Sequence, residues 1–464
     1  MDEWAESELG EANFGDKRLT NRFVHLTRDL ATKPEGSVPQ ACGDWASTKG
    51  AYRFWDNEKV TPDKIRAAHR DKTVERAKEY GTILAVQDTS SANYASHKAT
   101  KGLGPIDAHK TQGFHVHSVL AVSPDGVPCG LFHQKVWSRD PQEKRTKEER
   151  RKLPIEEKES YRWLESVEAT KNAVPPETHI ITVADREADI FELFALPRPD
   201  NMDLLIRATQ DRCVQVEDPE TNKLWESVEA VPESKATMTT HLEHQPGIPA
   251  RDVKFALRWR KVTIRVPANK KKKYQNVTLT AILVTEKEPP ESVEPLTWLL
   301  LTSLPVETFA QAAQCVRWYR FRWLIERYHF VLKSGCQLEE LQLETVERLE
   351  KALATYCIVA WRLLWLTYQA RKTPDASCES AFQTYEWHAL YTFTHKTNVL
   401  PPIPPSLHEV ILWIAKLGGF LARSSDGEPG VKTIWRGLRR LDDIAAAWLL
   451  FHSFTPPTDP LSYG

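Results

Sequence analysis

The spacing of hydrophobic residues predicts helices at both ends of this 464-residue chain, with a strand-rich middle. Residues 1 to about 70 are predicted to be helical, and "GDKRLTNRFVHLTRDLATK" places Leu19, Phe23 and Leu26 on one apolar stripe. Further helices are predicted in "EEKESYRWLESVEATKNAV" and in the segment that contains Glu326. The C-terminal region is predicted to hold two helices separated by a glycine-rich loop.

Strand signals dominate between the helical regions. Short apolar runs typical of buried strands lead into Asp88 in "GTILAVQDTS" and into Asp185 in "THIITVADREADI". "GFHVHSVLAVSPDGVPCGLFHQKVW" is predicted to be a β-hairpin, because Pro124-Asp125-Gly126 favours a turn between two β-rich runs. Four more β-rich segments fall between about 203 and 303. The pattern therefore predicts an α/β multidomain protein whose core is flanked by N-terminal and C-terminal helical domains.

Length and composition fit several soluble domains. The chain is too long for one hydrophobic core, and we expect domains at 1–70, 71–372 and 373–464, with a β-strand insertion at about 203–303. Hydrophobic residues make up 41% of the chain and charged residues 27%, as in folded soluble proteins. No apolar run has the length of a membrane span. Seven cysteines without a CxxC spacing, together with the lack of a secretory signal, predict a cytoplasmic protein without a zinc site.

The distribution of charge is more informative than its sum. A formal net charge of −1 argues mildly against a nucleic-acid-binding protein. From Arg251 to Lys273, however, Asp252 is the single acid among many basic residues. This stretch is either a phosphate-contacting surface, with Lys270 and Lys271 as candidate contacts, or a solvated hairpin with a lysine-rich turn.

The segment "YRFRWLIERYHFVLK" carries one acid among several cations. On a helix, Tyr319, Arg322, Glu326 and Lys333 fall within an arc of about 60°. The apolar side chains gather on the opposite side: Phe321, Leu324, Ile325, Tyr328 and Leu332. We therefore predict one amphipathic helix whose polar face points at a specific partner.

Asp88, Asp185 and Glu326 stand out by their positions. If the strands before the two aspartates are neighbours, these side chains meet at the carboxyl edge of the sheet, where α/β folds place their sites. Two carboxylates about 4 Å apart repel by roughly 4 kcal/mol at an effective dielectric near 20, so they need a cation. Hard oxygen ligands favour Mg²⁺ or Mn²⁺, and such acids can hold two ions for phosphoryl transfer. Arg322 and Lys333 would then neutralise the phosphates of the substrate.

Each candidate residue also has a structural explanation. An aspartate at a strand end commonly caps a helix or a turn, and a helical glutamate is commonly an i,i+4 salt-bridge partner. His115 and His117 share one strand face and could bind a metal ion, but packing within the strand is the favoured interpretation, since no third soft ligand is near in sequence. The order strand-Asp, strand-Asp, helix-Glu favours a joint site over three separate structural roles.

The spacing Tyr-x2-Arg-x3-Glu-x6-Lys from Tyr319 to Lys333 resembles the signature of the insertion-sequence-four family of DDE transposases. "GDKRLTNR" and "GAYRFWDN" are similar to the family's N-terminal end-recognition region, and "VQDTS" and "VADREADI" are similar to its two aspartate motifs. "PLTWLLLTS" resembles the strand before the signature, and "LGGF" with "WRGL" resembles the C-terminal region. The resemblance covers nearly the whole chain and implies an RNase H-like mixed-sheet catalytic core with a β-strand insertion.

The resemblance also implies a bacterial cut-and-paste activity. Two copies of the protein would pair transposon end inverted repeats in a synaptic complex, hydrolyse one strand, form a hairpin intermediate and join the 3′ ends to target DNA. Asp88, Asp185 and Glu326 would be the catalytic residues and would bind two Mg²⁺ ions, for which Mn²⁺ would substitute. The protein would associate with the nucleoid when it is bound to DNA.

DNA contacts are implied at several positions. Trp298 in "PLTWLLL" would stack on an extruded base, although a core tryptophan is the alternative. Tyr319, Arg322 and Lys333 would bind neighbouring phosphates, and Arg207 in "LLIRAT" would be a further phosphate contact. In the N-terminal region the candidate DNA contacts are Lys17, Arg18 and Arg22.

Two other functions fit the same residues. One is a DNA-binding regulator of transposition that has no catalytic activity, although the intact acids argue against it. The other is an RNase H-like structure-specific nuclease that hydrolyses DNA without strand transfer. Inverted repeats that bracket the reading frame would favour a transposase over the nuclease.

Overall fold

The computed structural model describes residues 3–142, 146–215, 222–242, 251–291 and 293–453. These residues form two compact units. The first unit contains the described parts of 1–72, 92–113 and 327–464, and the second contains the described parts of 73–91 and 114–326. No helix in the described part of the chain is long and apolar enough to cross a membrane.

Helices lie at both ends of the described chain and the strands lie between them, as the hydrophobic pattern predicts. The α-helices are α1 (Glu3–Leu9), α2 (Lys17–Thr32), α3 (Val38–Cys42), α4 (Trp45–Asp56), α5 (Pro62–Lys78), α6 (Lys147–Lys152), α7 (Tyr161–Ala173), α8 (Phe191–Phe194), α9 (Leu224–Glu229), α10 (Phe309–Arg320), α11 (Trp323–Phe330), α12 (Val346–Lys372), α13 (Thr384–His395), α14 (Leu407–Leu417) and α15 (Val431–Ser453). The strands are β1 (Thr82–Asn93), β2 (Gly104–Pro105), β3 (Gln112–Val122), β4 (Pro128–Trp137), β5 (His179–Ala184), β6 (Met202–Arg207), β7 (Val214–Gln215), β8 (Thr237–Leu242), β9 (Arg251–Ile264), β10 (Val277–Lys287) and β11 (Thr297–Thr302).

The first unit is helical. Its N-terminal helices confirm the predicted helical region, with Phe23 and Leu26 buried and Leu19 half-buried. Of the C-terminal helices, α14 and α15 confirm the two that were predicted, whereas α13 was not anticipated. A Cβ on Gly418 would lie 1.8 Å from the Thr433 carbonyl oxygen, so the glycine permits close approach of the chain to the first turn of α15.

The second unit is built on a mixed β-sheet. Its strand order is β3-β1-β5-β6-β11-β10-β9-β7, with β4 paired to β3 and β8 paired to β9. The pairs β1–β5 and β5–β6 are parallel, and β6–β11, β11–β10 and β10–β9 are antiparallel. The predicted α/β architecture, the hairpin of β3 and β4 and the strand-rich stretch from 203 to 303 are therefore confirmed.

The two faces of this sheet carry different helices. On one face, Ile83 and Ala85 of β1 and Ile180 of β5 share a core with Trp163 and Val167 of α7. Because side chains alternate along a strand, the odd-numbered residues of β5 and the even-numbered residues of β1 point to the other face. Helix α10 packs against strands β5, β6 and β9.

The segment predicted as one helix is three elements, so that prediction is wrong. Helix α10 ends at Arg320, α11 begins at Trp323, and a π-helical turn covers Val331–Gly335. The break is produced by a contact distant in sequence: the Phe321 ring packs so closely on Gly126 that a Cβ there would lie 2.5 Å from a ring carbon. Gly126 adopts φ +92° in the β3–β4 turn, a conformation that favours glycine.

Candidate active site

Asp88 and Asp185 lie side by side because their strands are paired in parallel. The last paired residues of β1 and β5 are Gln87 and Ala184, and each aspartate is the next residue along its strand. Neighbouring strands are about 4.8 Å apart, so both carboxylates start from adjacent positions on one face. The aspartates therefore meet where the parallel pairing ends. The expectation that β1 ends at Asp88 is wrong, since β1 continues to Asn93.

Asp88 is a buried carboxylate in an acidic surrounding. Burial raises the pKa of Asp88 to about 7, and the charges of Asp185 and Glu326 act in the same direction. The Thr89 backbone N–H, which donates to Asp88 Oδ1 at 2.7 Å, and the Arg322 guanidinium favour the ionised form. A further positive charge next to Asp88 would therefore lower its pKa and favour the ionised carboxylate.

Asp185 begins a short turn that a buried ion pair fixes. Its Oδ1 accepts a hydrogen bond of 2.8 Å from the Glu187 N–H, so the capping interpretation of this aspartate is correct for its backbone contact. Four residues later, the Asp189 carboxylate pairs with Arg212 at 2.6 Å and accepts from the Thr209 N–H at 2.8 Å. The capping bond leaves the second carboxylate oxygen of Asp185 for another partner.

Arg322 lies between Glu326 and Asp88. Its Nη2 is 2.5 Å from Glu326 Oε1, and its Nη1 is 3.8 Å from Asp88 Oδ2. The i,i+4 salt bridge that was the alternative explanation of Glu326 is thus present. The same guanidinium connects Glu326 to Asp88, and the charge of Glu326 contributes to the raised pKa of Asp88.

The metal-binding arrangement expected from three converging acids is not formed. Within the described ranges, no group of three His, Cys, Asp or Glu side chains is arranged to hold a metal ion. Glu326 is instead paired with the Arg322 guanidinium. The donor set nevertheless fits a hard divalent cation: two carboxylates on adjacent strands, one of them buried with a pKa raised to about 7.

Tyr319, Trp298 and Arg207 lie together on the same face of the sheet. Arg207 is opposite Leu300 in the β6–β11 pairing, and Trp298 precedes Leu300 by two residues. The Trp298 ring is half-buried, with its centroid 5.8 Å from that of Tyr319 and 5.5 Å from that of Phe255. Tyr319 is buried, and burial raises the pKa of its phenol, while the nearby Arg322 and Arg207 guanidinium groups oppose this shift. Tyr319 is thus packed beside Trp298, on the same face of the sheet as Arg207.

The remaining candidates of the signature and the N-terminal region belong to the helical unit. Lys333 lies in the π-helical turn, with its Nζ 3.3 Å from Glu339 Oε1. Lys17 and Arg18 are exposed at the start of α2, where Arg18 pairs with the capping residue Asp16 at 2.9 Å. Arg22 is half-buried, and its guanidinium lies directly against Gly50 in α4. Lys17 and Arg18 are thus better placed than Arg22 to contact DNA.

Some cations of the basic stretch between Arg251 and Lys273 are neutralised within the protein. Lys270 pairs with Glu192 at 2.5 Å and Lys273 with Glu156 at 2.9 Å. Arg251 forms an ion pair with the buried Glu286. The acids that form these ion pairs come from other segments of the chain, so part of the positive charge of this stretch is already used within the protein. Lys271 is exposed at the turn.

Two groups of residues were not identified from the sequence. Helix α4 exposes an aromatic and basic stripe within an arc of about 100°, formed by Trp45, Lys49, Tyr52 and Arg53. The i, i+4, i+7, i+8 spacing of these residues could have predicted from the sequence that they share one helix face. The second group surrounds Arg162, whose contacts no local pattern indicates.

Two aspartates on adjacent strands of a mixed sheet, together with a glutamate that is salt-bridged to Arg322, form an acidic candidate site. Three family models match the chain: transposase DNA-binding at residues 1–60, transposase DDE domain at 248–362 and transposase Tn5 dimerisation domain at 358–449. The chain is therefore a DDE transposase of the Tn5 type. The models support DNA binding and homodimerisation, and the DDE domain implies an RNase H-like core and dependence on a divalent metal.

Proposed function

We propose that this protein is a cut-and-paste transposase of the insertion-sequence-four family, with Tyr319, Arg322, Glu326 and Lys333 as its signature. The observation that carries this proposal is the parallel register that makes Asp88 and Asp185 neighbours. Salt bridging of Arg322 to Glu326, with Asp88 3.8 Å from the same guanidinium, supports a joint site.

Asp88, Asp185 and Glu326 would hold two Mg²⁺ ions, with Mn²⁺ as a substitute. Bound there, divalent ions activate an attacking oxygen and stabilise a leaving oxygen in phosphoryl transfer. Arg322 acts first in this scheme, because it must exchange its carboxylate partner for a phosphate of the incoming DNA. That exchange frees Glu326 to complete the acidic site. The proposal thus couples assembly of the site to arrival of the substrate.

Three side chains on the same face of the sheet would position the strand that reacts. Arg207 would bind a phosphate beside the phenol of Tyr319, whose pKa its charge helps to lower. Trp298 would stack on a base extruded near the transposon end, because duplex DNA must be distorted before one strand can attack the other. Lys333 would bind a phosphate after leaving Glu339. First-strand hydrolysis, hairpin formation, hairpin opening and joining of the 3′ end would follow in that order.

End recognition would belong to the N-terminal region. The exposed stripe on α4 combines rings with cations, which suits contact with DNA phosphates and sugars, and Lys17 and Arg18 would add phosphate contacts. We assign 1–70 to binding of double-stranded transposon ends, 71–372 to catalysis and 373–464 to homodimerisation in the synaptic complex. Exposed Leu421 and Leu449 support an interface in the last region. The proposed location is the bacterial cytoplasm, at the nucleoid when DNA is bound.

The decisive experiment uses the chain, its genomic flanks as end DNA, and Mg²⁺. Nicked, hairpin and joined products are resolved on a denaturing gel. All three products are expected, with nicked DNA appearing first, hairpin DNA second and joined DNA last. Nicks without joined products would favour the structure-specific nuclease, and end binding without any nick would favour a catalytically silent regulator.

The Trp298 assignment has its own test. Trp298→Ala is expected to slow hairpin formation about 10-fold while first-strand nicking stays within about 2-fold, since one stacked base is worth about 1–3 kcal/mol. Trp298→Phe is the matched control, because it keeps an aromatic ring. Equal losses in both steps for the alanine variant would assign Trp298 to packing against Phe255 and Tyr319.

A further inference from the structure

Arg162 connects the backbone segments that follow the two aspartates. Its Nε donates to Thr89 Oγ1 at 2.8 Å, and its Nη2 is 2.8 Å from Glu187 Oε2. Thr89 directly follows Asp88 and donates its backbone N–H to that carboxylate. Glu187 donates its backbone N–H to Asp185 Oδ1. One guanidinium therefore touches both residues that hydrogen-bond the aspartates.

The guanidinium of Arg162 is held from every side. Its side chain is only 12% exposed, and its Nη1 donates to the Glu159 carbonyl oxygen at 3.0 Å. The planar group lies 5.3 Å from the Trp163 ring centroid and 5.8 Å from that of Trp137. Such a group is preorganised, because a rigid fork loses little freedom for each hydrogen bond that it forms.

The same network continues beneath β1. Thr89 Oγ1, which accepts from Arg162, is 2.9 Å from His117 Nδ1, and His117 Nε2 is 3.3 Å from Gln87 Oε1. Gln87 and Thr89 are the two neighbours of Asp88 in the chain. Arg162 and His117 therefore contact residues on both sides of that aspartate from the opposite face of the sheet.

We propose that Arg162 is a positioning residue that sets the spacing of the Asp88 and Asp185 carboxylates for the divalent metal. This inference rests on the proposed roles of those two aspartates. Outer groups that orient metal ligands typically change metal affinity 10–100-fold when they are removed.

The test measures the Mn²⁺ concentration at the midpoint of first-strand nicking and, separately, the Mn²⁺-induced rise in Tm of the DNA-free protein. Arg162→Gln and Arg162→Lys are expected to raise both midpoints about 10-fold. Saturating Mn²⁺ should restore nicking, and binding of end DNA in EDTA should stay within about 2-fold. A purely structural role would instead lower the rate at every Mn²⁺ concentration and lower the Tm in EDTA.

Three further variants make each outcome decisive. Arg139→Gln removes a guanidinium that pairs with Glu159 at 2.5 Å on the same side of the site, and it should leave the midpoints unchanged. Glu187→Gln weakens the ion pair between Arg162 and Glu187, and it does so at a side chain that is 62% exposed, so the fold should be preserved. In the double variant, its effect on the midpoints should not add to that of Arg162→Gln, because both changes remove the same contact. Unchanged midpoints, or an equal shift in Arg139→Gln, would overturn the inference. Nicking by Asp88→Asn would instead overturn the proposed site itself.

Discussion

The aspartate pair and the glutamate reach the candidate site by different structural routes. Asp88 and Asp185 are placed by backbone pairing of β1 and β5, and the Asp88 side chain is only 17% exposed. Glu326 is carried by the short helix α11, its side chain is 55% exposed, and Arg322 neutralises it. The sheet therefore fixes two carboxylates, and burial disfavours the charge of Asp88. The helix carries a more exposed carboxylate that is held by a salt bridge. The pair is preorganised and the glutamate is adaptable.

The largest expected effect is loss of DNA cleavage when a carboxylate is removed from either the aspartate pair or the glutamate. Asp88→Asn, Asp185→Asn and Glu326→Gln should each reduce the rate of first-strand nicking at least about 10³-fold, because removal of a group needed in the transition state costs several kcal/mol. Binding of end DNA, measured by mobility shift in EDTA, should remain within about 2-fold. A variant that nicks at the wild-type rate would remove its residue from the site.

Stability separates the buried aspartate from the exposed glutamate. The folded pKa of Asp88, about 7, lies above the ordinary 3.8, so the folded state binds more protons than the unfolded state between these values. The protonated Asp88 side chain therefore contributes to the free energy of unfolding below about pH 4. This contribution is lost as the pH rises through 7 and the folded protein must hold a charged carboxylate. Asp88→Asn removes that loss, and at pH 8 in EDTA it should raise the free energy of unfolding by on the order of 4 kcal/mol.

Urea unfolding at pH 4 and pH 8 measures this difference. The gain from Asp88→Asn should be large at pH 8 and nearly absent at pH 4. Asp107→Asn is a control of opposite sign, since hydrogen bonds from Thr111 lower the pKa of Asp107, and this variant should not stabilise the protein at pH 8. An equal gain at both pH values would mean that Asp88 is not buried in its charged form. Mg²⁺ should selectively stabilise the wild-type protein, because it binds the native carboxylates.

The same comparison explains what the sequence could reveal. The apolar runs before Asp88 and Asp185 were sufficient to predict two buried strands. The meeting of the aspartates was predicted only on the condition that these strands are neighbours, which the parallel pairing of β1 and β5 fulfils. The break after Arg320 was not predictable, since it depends on Phe321 packing against Gly126, which is far away in the chain. Likewise, a local count of lysines could not reveal that Glu192 neutralises Lys270. Long-range side-chain contacts were the missing information.

Arg322 tests the adaptable part of the comparison with a smaller effect. Arg322→Ala should reduce the nicking rate about 100-fold, because a charge-assisted phosphate contact contributes about 1.5–3 kcal/mol. In the absence of DNA, however, Mn²⁺ should raise the Tm of this variant more than that of the wild type, since Glu326 no longer has its guanidinium partner. Arg317→Ala is a matched control, because Arg317 bonds Gln314 on α10. An unchanged Mn²⁺ response would mean that Arg322 does not restrain Glu326.

The smallest expected effect concerns Lys270 and Lys271, which repeat the contrast between a held and an exposed charge. Lys271→Ala should lower the slope of log K for DNA binding against log salt by about 1 and weaken affinity only a few-fold, as loss of one phosphate contact does. Lys270→Ala should leave the slope unchanged, because Glu192 already holds that ammonium at 2.5 Å. Instead, it should lower the Tm, since the buried Glu192 loses its partner. Equal slopes for both variants would mean that neither lysine contacts DNA. A decrease in the salt slope for Lys270→Ala alone would mean that DNA displaces Glu192 from Lys270. Lys270 would then exchange a carboxylate partner for a phosphate, as is proposed for Arg322.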